Sequence, residues 1–147
     1  MQLITYLTFA GNCEEAINFY KEALGGKIIQ LSHMGDGPME VPEHLKGKVM
    51  HSRLQLGESV LYMSDNFDPA SIHQGNNVHL SLQIDDASEL ERLFTNLSAG
   101  GKIVRPLEKQ FWGAIFGMFV DKFGIHWMMN CELSTRTPSE KKEPALN

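Results

Sequence analysis

The sequence predicts an α+β protein made of two tandem β-α-β-β-β modules. Three observations predict it. The tetrapeptide Gly-Gly-Lys-Ile occurs twice, at residues 25–28 and 100–103, an offset of 75 in a chain of 147 residues. Each copy follows a segment with the apolar spacing of an amphipathic helix. Each such segment is preceded by one alternating stretch and followed by three more.

The elements follow in order. Residues 3–9 read as the first strand, with Leu3, Leu7 and Phe9 on one side and Tyr6 and Thr8 on the other. Asn12 stands at the N-cap of the first helix, and Glu15 completes the spacing of a capping box. Ala16, Phe19, Tyr20 and Ala23 form its apolar stripe, and Gly25 supplies the left-handed residue that ends it. Strands are expected at residues 27–33, 49–56 and 59–64. In the second of these, Met50, Leu54 and Leu56 share one face, and His51, Arg53 and Gln55 share the other.

The second half repeats the plan. Residues 78–84 place Val78, Leu80, Leu82 and Ile84 opposite His79, Ser81 and Gln83. Asp86 and Glu89 have capping-box spacing, and Leu90, Leu93, Phe94 and Leu97 form the stripe. Gly100 is the expected helix stop, and strands are expected at residues 102–107, 113–120 and 125–130. A glycine turn precedes the last strand in each half, at Gly57 and Gly124. The expected organisation is one domain over residues 1–132, with modules at 1–65 and 77–132 and a linker at 66–76. Residues 35–45 read as a long loop inside the first half, and residues 133–147 as a disordered, proline-punctuated tail.

Composition narrows the function classes. A net charge of −5 and a pI of about 5.6 argue against a nucleic-acid partner, which presents a basic stripe. No apolar run is long enough to span a membrane. Residues 1–5 lack the features of a signal peptide, so a cytoplasmic protein is expected. Cys13 and Cys131 form no CxxC pattern, and a disulfide scaffold is not expected. Cys13 has two readings: a small buried hydrophobe, or a thiol activated by a helix N-terminus.

The apolar strand faces have a use, covering the two helices. The polar faces can meet solvent, as one-sided antiparallel sheets do, or line a wet cavity. Motifs add to this. The segment Asn12–Gly26 with Phe19-Tyr20, the start Tyr6-Leu7-Thr8-Phe9-Ala10-Gly11-Asn12, Met63-Ser64-Asp65, Phe111-Trp112-Gly113 and Asp121-Lys122-Phe123-Gly124-Ile125-His126-Trp127 together resemble one family. It is the vicinal-oxygen-chelate superfamily (glyoxalase, bleomycin resistance, dioxygenase), and within it the PhnB-like branch, whose members also carry the name 3-demethylubiquinone-9 3-methyltransferase. The resemblance covers roughly residues 2–132. It implies a glyoxalase-like fold whose two sheets form a cup around a small-molecule site, and a homodimer.

The resemblance also implies where a divalent metal would sit: one ligand from the first and one from the last strand of each module. Carried over by the glycine anchors, those positions are Thr5 or Tyr6, Leu61, His79 and Met128, or Tyr62 and Met129 with a shift of one. His79 alone is a metal-ligand type, and Asp65 and Glu132 are the nearby carboxylates. No metal and no other cofactor are therefore expected. His51 and His79 read as ligand contacts, proton-transfer groups or structural histidines. Arg53 reads as an anion contact or a salt-bridge partner. Trp112 reads as a ligand-stacking or a packing aromatic, and either His126 or Trp127 faces the cup. No GxSxG elbow, P-loop, HExxH or glycine-rich dinucleotide turn occurs, so methyl transfer is not expected.

The leading reading is a PhnB-like binding protein for a small polar or anionic molecule, contacted by Tyr6, His51, Arg53, His79 and Trp112. A metal-dependent lyase, isomerase or dioxygenase with a non-standard site around His51 and His79 is one alternative. A non-catalytic structural or interaction module is the other.

Overall fold

The computed structural model describes residues 1–133. The element order is β1 (Thr5–Phe9), α1 (Cys13–Leu24), β2 (Lys27–His33), β3 (Val49–Leu56), β4 (Ser59–Asp65), β5 (Leu80–Gln83), α2 (Ala87–Ser98), β6 (Lys102–Lys109), β7 (Ala114–Val120) and β8 (His126–Glu132). This is the predicted tandem repeat, and the contacts divide it into two units, Met1–Gly75 and Asn76–Asn147. Each unit holds one four-stranded sheet, ordered β1-β4-β3-β2 in the first and β5-β8-β7-β6 in the second. In both, the first strand runs parallel to the last and the other pairs are antiparallel. The expected tail from residue 134 onward lies outside the described residues.

In the first module α1 buries Ala16, Ile17, Tyr20 and Ala23. The sheet meets it with Ser52, Leu54, Leu61 and Met63, all buried. In the second, α2 buries Leu90, Leu93, Phe94 and Leu97, and the sheet contributes Phe119, Trp127 and Met129. The edge of Phe94 meets Phe119 at 5.0 Å between ring centroids. Burial of such side chains contributes about 1.5–3 kcal/mol each, so these two helix–sheet cores carry the fold.

The duplicated Gly-Gly pair has a physical basis in both copies. Its first glycine is left-handed, with φ 74° at Gly25 and 76° at Gly100. Its second glycine lies against the neighbouring strand. A Cβ on Gly26 would stand 2.8 Å from the Gln55 carbonyl oxygen, and one on Gly101 would stand 2.2 Å from that of Val120.

Several boundaries differ from the sequence expectation. β1 starts at Thr5, and Leu3 is fully exposed. The β1–β4 ladder ends at Thr5↔Leu61, while β4 itself runs on to Ser59 against β3. β5 is shorter than expected, and Val78 is 73% exposed. β6 runs on to Lys109 through Pro106, which an edge strand tolerates, with irregular register beside it. The second helix stop also shifts: Ala99 occupies the C-cap position and Gly100 follows it.

The capping box predicted for α1 does not form. Asn12 makes no side-chain cap. Asp65, at the end of β4, supplies the acceptor: its Oδ1 takes N–H bonds from Gly11 and Cys13, both at 3.0 Å. Its Oδ2 takes one from Val49 at 2.8 Å. A carboxylate at this place also suits the positive end of the helix dipole. For α2 the predicted cap is present, with Asp86 accepting from the Glu89 N–H at 2.9 Å.

His33 ties β2 to α1 through its Nε2, 2.5 Å from Glu14 Oε1. The Glu14 hydrogen bond is the largest of the effects that raise its pKa. Because the folded value is raised, the pair's contribution is full below the unfolded value of about 6.5 and fades as pH rises through the folded pKa. The pair is partly exposed, so about 0.2–1 kcal/mol is expected. In His33→Gln the difference in urea midpoint between about pH 6 and about pH 9 should shrink accordingly. An unchanged difference would show that His33 contributes no pH-dependent stability.

Candidate functional site

In the first module, strand alternation sends Ser52 and Leu54 to the helix side and leaves His51 and Arg53 on the opposite face. Registers Arg53↔Tyr62 and Tyr6↔Tyr62 bring β3, β4 and β1 side by side at one level. Tyr6, His51, Arg53 and Tyr62 therefore converge. Tyr6 Oη lies 3.0 Å from His51 Nδ1. Arg53 Nε donates to His51 Nε2 at 3.2 Å. The Arg53 guanidinium sits 4.6 Å from the centroid of the Tyr62 ring, a cation–π arrangement. The edge of His51 meets Tyr62 at 5.3 Å between centroids.

Desolvation, and then the neighbouring Arg53 charge, lower the His51 pKa, so its imidazole is held neutral at neutral pH. Tyr6 is 46% exposed, so the cluster is open to a ligand. Three predicted residues, Tyr6, His51 and Arg53, are thus brought together. Tyr62 was missed as a member of this face. Alternation along Ser59–Asp65 would have found it, since Tyr62 shares a face with Val60 and Ser64.

In the second module, His79 lies just before β5, and its ring is 5.3 Å from that of His126 at an interplanar angle of 80°. Further along the same face, Asn130 donates to Gln83 Oε1 at 2.9 Å. Trp127 takes the other side, buried, with its Nε1–H bonded to Asp121 Oδ2 at 2.8 Å. Trp112 stands in the β6–β7 turn, 55% exposed, with Phe111 and Phe116 ring centroids at 5.1 and 6.3 Å.

The carried-over metal positions change with the observed register. Leu80 pairs with Trp127 and Ser81 with Met128, so the residue beside His79 is His126, not Met128. In the first module the corresponding rows hold Thr5 with Leu61 and Tyr6 with Tyr62. Asp65 is no free carboxylate: it lies within β4, and both its oxygens accept backbone N–H groups. Glu132 lies within β8 and is exposed. Among the described residues no three His, Cys, Asp or Glu side chains gather as metal ligands would.

Cys13 is buried, and its thiol is pushed up to about 12 by burial and by the Asp65 charge. The helix N-terminus does not activate it, because desolvation and the carboxylate opposite both disfavour the thiolate. The Asp121-Lys122-Phe123-Gly124 motif is likewise structural. Asp121 Oδ1 accepts from the Phe123 and Ile125 N–H groups at 2.8 and 3.0 Å, fixing the turn into β8. No helix among the described residues is long and apolar enough to cross a membrane.

Comparison with known proteins agrees with this architecture. Residues 2–129 match the model of the Glyoxalase/Bleomycin resistance protein/Dioxygenase superfamily. Protein YjdN of Escherichia coli (strain K12) is 31% identical over 140 residues, covering 88% of this chain and 95% of YjdN. The crystal structure of protein PA1353 from Pseudomonas aeruginosa is 43% identical with a TM-score of 0.80, covering 90% of this chain and 98% of that one. A PhnB protein from Bacillus cereus, described as a candidate 3-demethylubiquinone-9 3-methyltransferase, is 25% identical with a TM-score of 0.75, covering 89% and 99%. With its two β-α-β-β-β modules and PhnB-like relatives, the chain belongs to the glyoxalase/bleomycin resistance/dioxygenase superfamily.

Proposed function

We propose that this chain binds a small polar or anionic molecule through side chains and without a standard metal site. The observation that carries the reading is the Tyr6–His51–Arg53–Tyr62 cluster, hydrogen-bonded and open on the sheet face away from α1. A face that only met solvent would gain little from fixing a tyrosine, a histidine and an arginine in one network. The ligand contacts assigned are Tyr6, His51 and Arg53 on the first module, and His79 and Trp112 on the second. A homodimer is part of the proposal and rests on the family resemblance. Methyl transfer is not, because no residue pattern in the chain suits a methyl-donor cofactor.

The donor set supports the metal-free reading. Catalytic metals take three protein ligands and an open position, whereas the carried-over positions hold two imidazoles in one module and no ligand type in the other. One observation favours a second reading, a metal-dependent lyase, isomerase or dioxygenase: the His79–His126 pair at 5.3 Å.

The test is calorimetry against a panel of small carboxylates, phosphonates and sugars. At least one class is expected to bind, and Arg53→Met to weaken it about tenfold or more, as loss of a charged hydrogen bond would. Binding abolished by a chelator but indifferent to Arg53→Met would favour the metal reading. Saturable binding of S-adenosylmethionine would contradict the exclusion of methyl transfer.

A further inference from the structure

The hydrogen bonds around His51 run in one direction. Arg53 Nε carries a proton at every relevant pH, so it can only donate, and it lies 3.2 Å from His51 Nε2. That nitrogen must present its lone pair. The imidazole is then neutral, and its single proton is on Nδ1. Nδ1 is 3.0 Å from Tyr6 Oη, so the histidine donates and the phenol oxygen accepts. The hydroxyl proton of Tyr6 cannot point back at a nitrogen that already carries one. Among the described residues Tyr6 Oη has no second hydrogen-bond partner, and Tyr6 is 46% exposed.

Arg53 ends the same way. Only its Nε is engaged among the described residues, while its plane rests over Tyr62. Its Nη–H groups are free to donate outward. Both nitrogens of His51 are occupied, so the trio offers donors to the outside and no imidazole lone pair. Among the described residues, Arg53, Tyr6 and Tyr62 contact the His51 ring from β3, β1 and β4, and Arg53 is the charge that acts on it. No carboxylate among the described residues acts on it.

We infer that Arg53, His51 and Tyr6 form a one-way donor relay that makes this face a receptor for an oxyanion group, a carboxylate, phosphate or phosphonate. The inference rests on the small-molecule reading above and gives it a ligand class. It also removes His51 from any metal site, since one of its nitrogens faces a guanidinium and the other holds a proton.

Nitrogen-15 NMR of the histidine rings in the full chain tests this directly. His51 is expected to show a protonated Nδ1 and an unprotonated Nε2 near neutral pH, and Arg53→Met to shift it toward the Nε2–H form. Inorganic phosphate should then move the His51 and Tyr6 signals saturably, and methylammonium should not. Tyr6→Phe should weaken phosphate binding about tenfold while the thermal midpoint stays close to that of the parent chain. An Nε2–H tautomer in the parent chain overturns the relay, and so does methylammonium binding in place of phosphate. The relay with no phosphate response overturns the oxyanion assignment. Binding of a neutral molecule at the same residues overturns it too but leaves the small-molecule reading standing, and only a face that binds nothing removes both.

Discussion

Asp65→Ala is expected to cost on the order of 4 kcal/mol of stability, from three hydrogen bonds to a charged group at about 1.5–3 kcal/mol each, less some re-solvation. Asp65 is 5% exposed and ties the end of β4 to two places distant in sequence: Gly11 and Cys13 at the start of α1, and Val49 at the start of β3. Truncation leaves all three N–H groups without their acceptor beneath the helix. Asp65→Asn should cost about half as much, because its oxygen can keep two of the bonds while its NH2 faces the Val49 N–H. Urea unfolding measures both. A loss below about 1 kcal/mol for the alanine variant would mean that water replaces the carboxylate without difficulty.

Gly101→Ala carries the second large effect. Its new methyl would stand 2.2 Å from the Val120 carbonyl oxygen and 2.9 Å from the Asp121 Cα, and both are backbone. No side-chain rotation relieves such a contact, so strand β7 or the helix exit must move. About 2–4 kcal/mol is expected, in the range of severe overpacking. Gly100→Ala provides the control. There the penalty is the left-handed φ of 76°, about 1 kcal/mol, with Lys122 Cβ at an ordinary 3.4 Å. If thermal unfolding ranks Gly100→Ala as equal to or worse than Gly101→Ala, close approach is not what the second glycine serves.

These two sites also show what could be read in advance and what could not. Helix faces were largely legible because apolar spacing depends on neighbours within a turn: Leu90, Leu93, Phe94 and Leu97 are all buried as expected, whereas in α1 Ile17 is buried and the expected Phe19 only half so. The α1 cap was not, because the acceptor for Cys13 comes from 52 residues away, and local spacing pointed to Asn12. The start of the fifth strand was misjudged for a related reason: its partner β8 begins only at His126, so Val78 has no strand opposite it. Alternation placed Tyr6, His51 and Arg53 on polar strand faces, and the family resemblance turned those faces toward a ligand. Tyr62 was reached only as a shifted metal position, and His126 was left open against Trp127, because the register between strands far apart in sequence is not written in either strand alone.

The metal content of the purified protein tests the central claim most directly, that this superfamily member works through side-chain donors. Elemental analysis should be run on full-length chain prepared without added metal or chelator. Zinc, nickel, manganese and iron are each expected far below one per chain. Any of them near one per chain, lost in His79→Ala or His126→Ala, would contradict it and establish a metal centre in the second module.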